Sequence, residues 1–150
     1  MSIRDRIRMS PEGLARFLGE ERTLTCATLG PRGLPHLMPL WYVMRGEEPW
    51  AWTYAKSQKV RNLERDPRAT LQVEAGEAYD ELRGAMLEAD VTIHRELDDV
   101  LALGLELAAR YGLGERGMRS QAPKRVALQF RPTHVVSWDH RLFSMRAPSR

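Results

Sequence analysis

Between Arg22 and Met44 the chain runs through two stretches of apolar and small residues divided by Gly30-Pro31-Arg32-Gly33, and this pattern constrains the fold more than any other. The first stretch, Arg22 to Leu29, is rich in threonine and has a two-residue period, the signature of a strand with one face buried. The second runs from Pro35 to Met44, and a turn this short between two strands makes an antiparallel hairpin. Gly46-Glu47-Glu48-Pro49 repeats the device. It leads into a third strand in which Trp50, Trp52 and Tyr54 share one side and Ala51 and Thr53 the other.

Further strands are expected at Arg68 to Glu74, with Ala69, Leu71 and Val73 on one side, and at Tyr79 to Ile93, as one or two segments bent near Gly84. Two more are expected at Lys124 to Phe130 and Thr133 to Trp138, separated by Arg131-Pro132. Helices are fewer. Ser10-Pro11-Glu12 reads as a cap, a first-turn proline and a first-turn acid, opening a short helix that ends near Gly19. Ser57 caps a helix from about Gln58 to Arg65 that closes at Asp66-Pro67. Leu97 to Tyr111 carries a helical apolar stripe with Gly112 beyond it as a C-terminal cap, and Gly114 to Pro123 reads as loose connection. Six or seven antiparallel strands with peripheral helices describe a mainly β chain, a small barrel or curled sheet.

At 150 residues and 43% apolar content the chain has the size of one domain, spanning 1–150. No stretch approaches the roughly twenty apolar residues of a membrane-spanning helix, so a soluble cytoplasmic protein is the expectation. The net charge of +3 sits largely at the two ends, and the aromatics are not interleaved with the cations. No nucleic-acid partner is therefore expected. Cys26 stands alone in a strand pattern, and His36, His94, His134 and His140 share no ligand spacing, so no metal site is expected. No serine or cysteine has a recognisable base, and no catalytic residue is assigned.

The segment Tyr54 to Pro67, YAKSQKVRNLERDP, places a hydroxyl and several cations at one strand-to-helix junction. Backbone donors at a helix N-terminus are unpaired and the helix dipole favours an anion there. Ser57 with the following amides, joined by Lys56 and Lys59, forms a candidate anion pocket; the alternative is a capped helix whose cations face water. Trp41, Tyr42, Trp50, Trp52 and Tyr54 offer rings that either wall a planar ligand or fill a core or subunit interface. Pro39 within its strand marks an edge or bulge.

These segments, taken in order from ThrLeuThrCysAlaThrLeuGly through TrpThrTyrAlaLysSerGlnLys to ArgAlaThrLeuGlnValGlu, resemble the pyridoxamine-phosphate-oxidase-like split barrels, in particular the branch of deazaflavin (F420)-dependent reductases. The likeness runs from about residue 12 to about residue 93, and more loosely to Trp138. It implies a split β-barrel and a homodimer that binds F420, or alternatively FMN, in a groove at the subunit interface. Lys59 and Ser57 would then hold the cofactor phosphate, helped by Lys56 and the amide of Gln58. Thr53 and Tyr54 would border the groove, and backbone around Met38, Pro39 and Trp41 would approach the ring. Tyr79 and Arg83, with Trp138, would complete the site from the other subunit. Where FMN-binding relatives carry an arginine before the lysine, this chain reads Tyr54-Ala55-Lys56, and Tyr79 to Gly84 is similar to the F420-using branch. The implied activity is hydride transfer between F420 and a small unsaturated or quinone-like substrate; a protein that only binds F420, a flavin or haem is the non-catalytic alternative.

Overall fold

The computed structural model describes residues 1–144. Six strands form a closed antiparallel barrel: β1 (Thr23–Leu29), β2 (Pro35–Arg45), β3 (Glu48–Tyr54), β4 (Arg68–Ala75), β5 (Arg83–His94) and β6 (Arg125–Asp139), in the spatial order β1-β2-β3-β6-β5-β4. The alternation read from the sequence decides what faces inward. Leu24, Cys26, Ala51, Leu71, Leu87 and Leu128 are among the buried residues that fill the barrel. Cys26 is a fully buried strand residue, and burial pushes its thiol up to about 12, which leaves it unreactive.

Around the barrel lie α1 (Ile3–Ile7), α2 (Pro11–Glu20), α3 (Gln58–Arg65), α4 (Leu97–Tyr111), α5 (Glu115–Gln121) and α6 (Arg141–Ser144). The Ser10 hydroxyl caps α2 by accepting from Gly13 N, and Phe17 and Leu18 of α2 enter the barrel core. Helix α4 has its own core, in which Val100, Leu103 and Leu107 pack on Val43, Trp52 and Ala127 from the outer face of the sheet. Gly104 is required there, because a Cβ would run into the indole of Trp52. At its C-terminus Gly112 adopts φ +70°, and Arg110 donates to Leu18 O, Gly19 O, Glu21 O and Tyr42 O, tying the ends of α2 and α4 together.

Pairing is uneven along β2. From Tyr42 to Arg45 it pairs with β3, whereas from Pro35 to Trp41 its only partner is β1. Continued, the register that sets Tyr42 against Ala51 would bring Pro39 opposite Tyr54, but β3 pairs there with β6 and the edges part. Pro39 thus sits on a free edge, as a strand proline must.

Three expectations are corrected. The last two strands are one continuous β6, with a bulge at Thr133 where the register against β5 shifts; beyond Gln129 it has no β3 partner, so Pro132 removes no ladder bond on that side. Tyr79–Glu81 is a single 3-10 turn, and the strand begins only at Arg83. Gly114 to Pro123 is ordered as α5 and a 3-10 turn, although α5 buries none of its residues and so carries no apolar period to read. No helix of the described residues is long and apolar enough to cross a membrane.

Candidate anion site at the start of helix α3

Strand β3 passes into α3 through one β-turn, with Ser57 N donating to Tyr54 O at 3.1 Å. The Ser57 hydroxyl accepts from Val60 N at 3.3 Å, so it caps the helix as its position predicts. Gln58 N and Lys59 N have no acceptor among the described hydrogen bonds, and these are the donors a helix N-terminus offers to an anion. The Gln58 side chain turns back along the helix to Asn62 Oδ1, at 2.8 Å. Lys56 is exposed beside them and has no carboxylate partner among the described residues.

Lys59 lies deeper than its charge suggests. Helical spacing puts it on the buried face of α3 with Val60, Asn62 and Leu63, and it is 5% exposed. Its ammonium donates to Thr53 Oγ1 at 3.2 Å, facing the core that holds Cys26. No carboxylate answers it, and burial lowers its pKa. Asn62 is wholly buried beside it and donates to Thr28 Oγ1 at 3.0 Å.

The aromatic group divides. Tyr42 is fully buried with its hydroxyl donating to Leu18 O at 2.6 Å, and Trp52 is packed under α4. Trp50 lies between the Arg45 guanidinium and the His94 ring. These three rings serve the framework. Trp41 and Tyr54 stay about half exposed, at 47% and 50%. Trp41 stacks one face on Tyr111, 4.4 Å between centroids, and Tyr54 carries the Arg125 guanidinium 3.7 Å from its centroid.

Met38, Pro39 and Trp41 lie exposed on the unpaired half of β2, facing the parted edge that ends at Tyr54. Tyr79 is 77% exposed against His140, on a different part of the surface. Arg83 turns within its own chain toward Glu21, at 3.7 Å, and over Phe17. Trp138 covers Gly84, whose missing Cβ makes room for the indole. Within one chain, then, the β3–α3 residues stand together and the free edge of β2 lies on the strand that parts from β3, whereas Tyr79, Arg83 and Trp138 do not join them.

Arg125 escapes a sequence reading. It opens β6 directly opposite Tyr54, and next to that pair Ala55 N donates to Lys124 O at 2.9 Å. Only the β3–β6 register reveals this. Its Nε is buried without a partner, as is Trp52 Nε1, and no carboxylate pairs with it among the described residues. An unsatisfied buried donor of this kind costs about 1–3 kcal/mol, and a cation here fits an anionic group better than it fits a closed surface. Free helix amides, cations without a carboxylate partner among the described residues and one exposed tyrosine ring thus meet at one junction.

A larger cleft, about 1270 Å³, opens at the opposite end of β3, between α2, the β2–β3 turn and the free part of β6. None of the predicted cofactor residues lines it. The described residues contain no cluster of histidine, cysteine and carboxylate side chains able to hold a metal ion.

The barrel and this junction define a class, the split-barrel proteins that hold flavin-like rings. Residues 10–139 match the family Pyridoxamine 5'-phosphate oxidase, and the chain belongs to that family. It is similar over its whole length to a conserved hypothetical protein of Mycobacterium tuberculosis, with 36% identity, 97% of that chain covered and a TM-score of 0.89. A structure named F420 reductase shares 25% identity over 84% of this chain and 98% of its own, with a TM-score of 0.71. The haem storage protein HutZ of Vibrio cholerae, at 20% identity over 87% of this chain and 96% of its own and a TM-score of 0.70, shares the fold. No curated protein matches the chain.

Proposed function

We propose that the protein is an oxidoreductase that binds coenzyme F420 at the start of α3 and uses it to reduce a small unsaturated or quinone-like substrate. The observation that carries this reading is the junction itself, where the amides of Gln58 and Lys59 have no acceptor and the cations beside them no carboxylate partner among the described residues. The likeness to an F420 reductase supports the choice of ring. Lys56, Ser57 and the backbone amides of Gln58 and Lys59 would hold the phosphate, Thr53 and Tyr54 would border the ring, and the backbone at Met38, Pro39 and Trp41 would face it. Bound there, F420 supplies the hydride. The protein's contribution is placement, oriented dipoles and exclusion of water, and for these no side chain has to act as acid or base.

A second copy of the chain would finish the groove, giving a homodimer with two sites. Leu37, Met38 and Trp41 on the unpaired part of β2, with Leu34 before it, form an exposed apolar strip that supports this arrangement. Tyr79, Arg83 and Trp138 would reach the site from that copy.

Fluorescence titration with F420 and FMN tests the reading. Saturable F420 binding by a colourless purified protein, followed by oxidation of reduced F420 with an enone or quinone, is the expected result. A yellow protein with a flavin spectrum and no affinity for F420 would transfer the site to FMN, and binding without turnover would leave a carrier. Leu37→Glu should convert the dimer to monomer in light scattering and abolish binding together with it.

A further inference from the structure

Strand β6 delivers Arg125 to the β3–α3 junction from 71 positions away in the chain, where its guanidinium rests on aromatic rings and pairs with no carboxylate among the described residues. Resting on the cofactor reading above, we infer that Arg125 is the arginine that grips the phosphate of the bound ring cofactor, with Tyr54 as the platform that orients it.

The guanidinium lies 3.7 Å from the Tyr54 centroid and 5.3 Å from that of Trp52. Stacking on a ring holds the planar fork in one orientation while its edge donors stay available, which an ammonium on a flexible stem does not match. Arg45, Arg83 and Arg141, by comparison, end on Glu106, Glu21 and Asp139. Among the described residues Arg125 ends on none, and neither do Lys124 and Lys56. Tyr54 also begins the turn that returns Ser57 N to Tyr54 O, so the stacked guanidinium and the free amides of α3 are separated by a single turn. A phosphate monoester or diester accepts from both kinds of donor at once, and it carries the charge this corner lacks.

The experiment compares ligands with and without the phosphate. FMN is set against riboflavin, and F420 against its phosphate-free ribityl deazaflavin, on the full-length wild type, Arg125→Gln and Arg125→Lys, each checked for an unchanged melting temperature. Arg125→Gln is expected to weaken the phosphorylated member of the bound pair about tenfold or more and to leave the phosphate-free member unchanged. Arg125→Lys should recover only part of the loss. Equal weakening of both members, or of neither, overturns the inference while the cofactor reading stands. If the wild type binds none of the four compounds, the cofactor reading itself fails and takes this inference with it.

Discussion

The two faces of β3 carry opposite solutions to the same problem. Inward, Ala51 and Thr53 are small and buried, and the space they leave receives the amino group of Lys59. Outward, Trp50, Trp52 and Tyr54 are large, and each is faced by an arginine: Arg45 over Trp50, and Arg125 over both Trp52 and Tyr54. A cation inside the barrel loses solvation that a ring on the outer face partly replaces. The inner charge is therefore tolerated at a cost, and the outer charges are held in place by the rings they face. Along the outer face the covering by α4 also fades, from Trp52 at 8% exposure to Tyr54 at 50%. Buried packing gives way to exposed surface within three residues.

The largest effect should come from the covered part of that face. Trp52→Ala removes the ring on which α4 packs and should cost about 3–5 kcal/mol in denaturant unfolding. Gly104→Ala sets a methyl against the same indole; it should cost about 1–3 kcal/mol, and less when combined with Trp52→Phe. A Gly104→Ala protein as stable as wild type would show that α4 does not press on the sheet there.

On the inner face the expected effect depends on pH. Burial holds the Lys59 pKa below the ordinary 10.5, so the unfolded chain binds more protons across the interval between the depressed value and 10.5. Stability from this group therefore rises as pH increases through that interval, and below it the folded state carries the full desolvation penalty. Lys59→Met should stabilise the protein at neutral pH and flatten the alkaline rise in denaturant unfolding. An unaltered pH dependence would mean that the amine reaches water. Smallest of all, Tyr54→Ala should change stability by no more than about 0.5 kcal/mol, because the ring is half exposed, yet lower cofactor affinity.

Much of this molecule is local enough to read without coordinates. Ser10-Pro11 and Ser57 cap the helices they precede, the glycines around Pro31 turn the first hairpin, and the stripe from Leu97 to Tyr111 is a helix over those same residues. Local signals fail where no burial pattern exists, as in α5, and where a proline breaks a run without breaking the strand, as at Pro132. At the site, Ser57, Lys56 and the α3 amides were visible because the junction is continuous in the chain. Lys59 was visible as a charge but not as a buried one: its helical phase places it inside only once α3 is laid against the barrel.

What the amino-acid sequence determined alone was therefore the alternation, the caps and the turns, each set by interactions a few residues long. Tertiary structure decided which strands close the barrel, that β2 pairs with β3 only from Tyr42 to Arg45, and that Arg125 falls on Tyr54. Those outcomes depend on register between segments distant in the chain. A one-residue slip in it would turn every side chain to the opposite face, so register is chosen by the burial of the whole sheet and not by any local stretch.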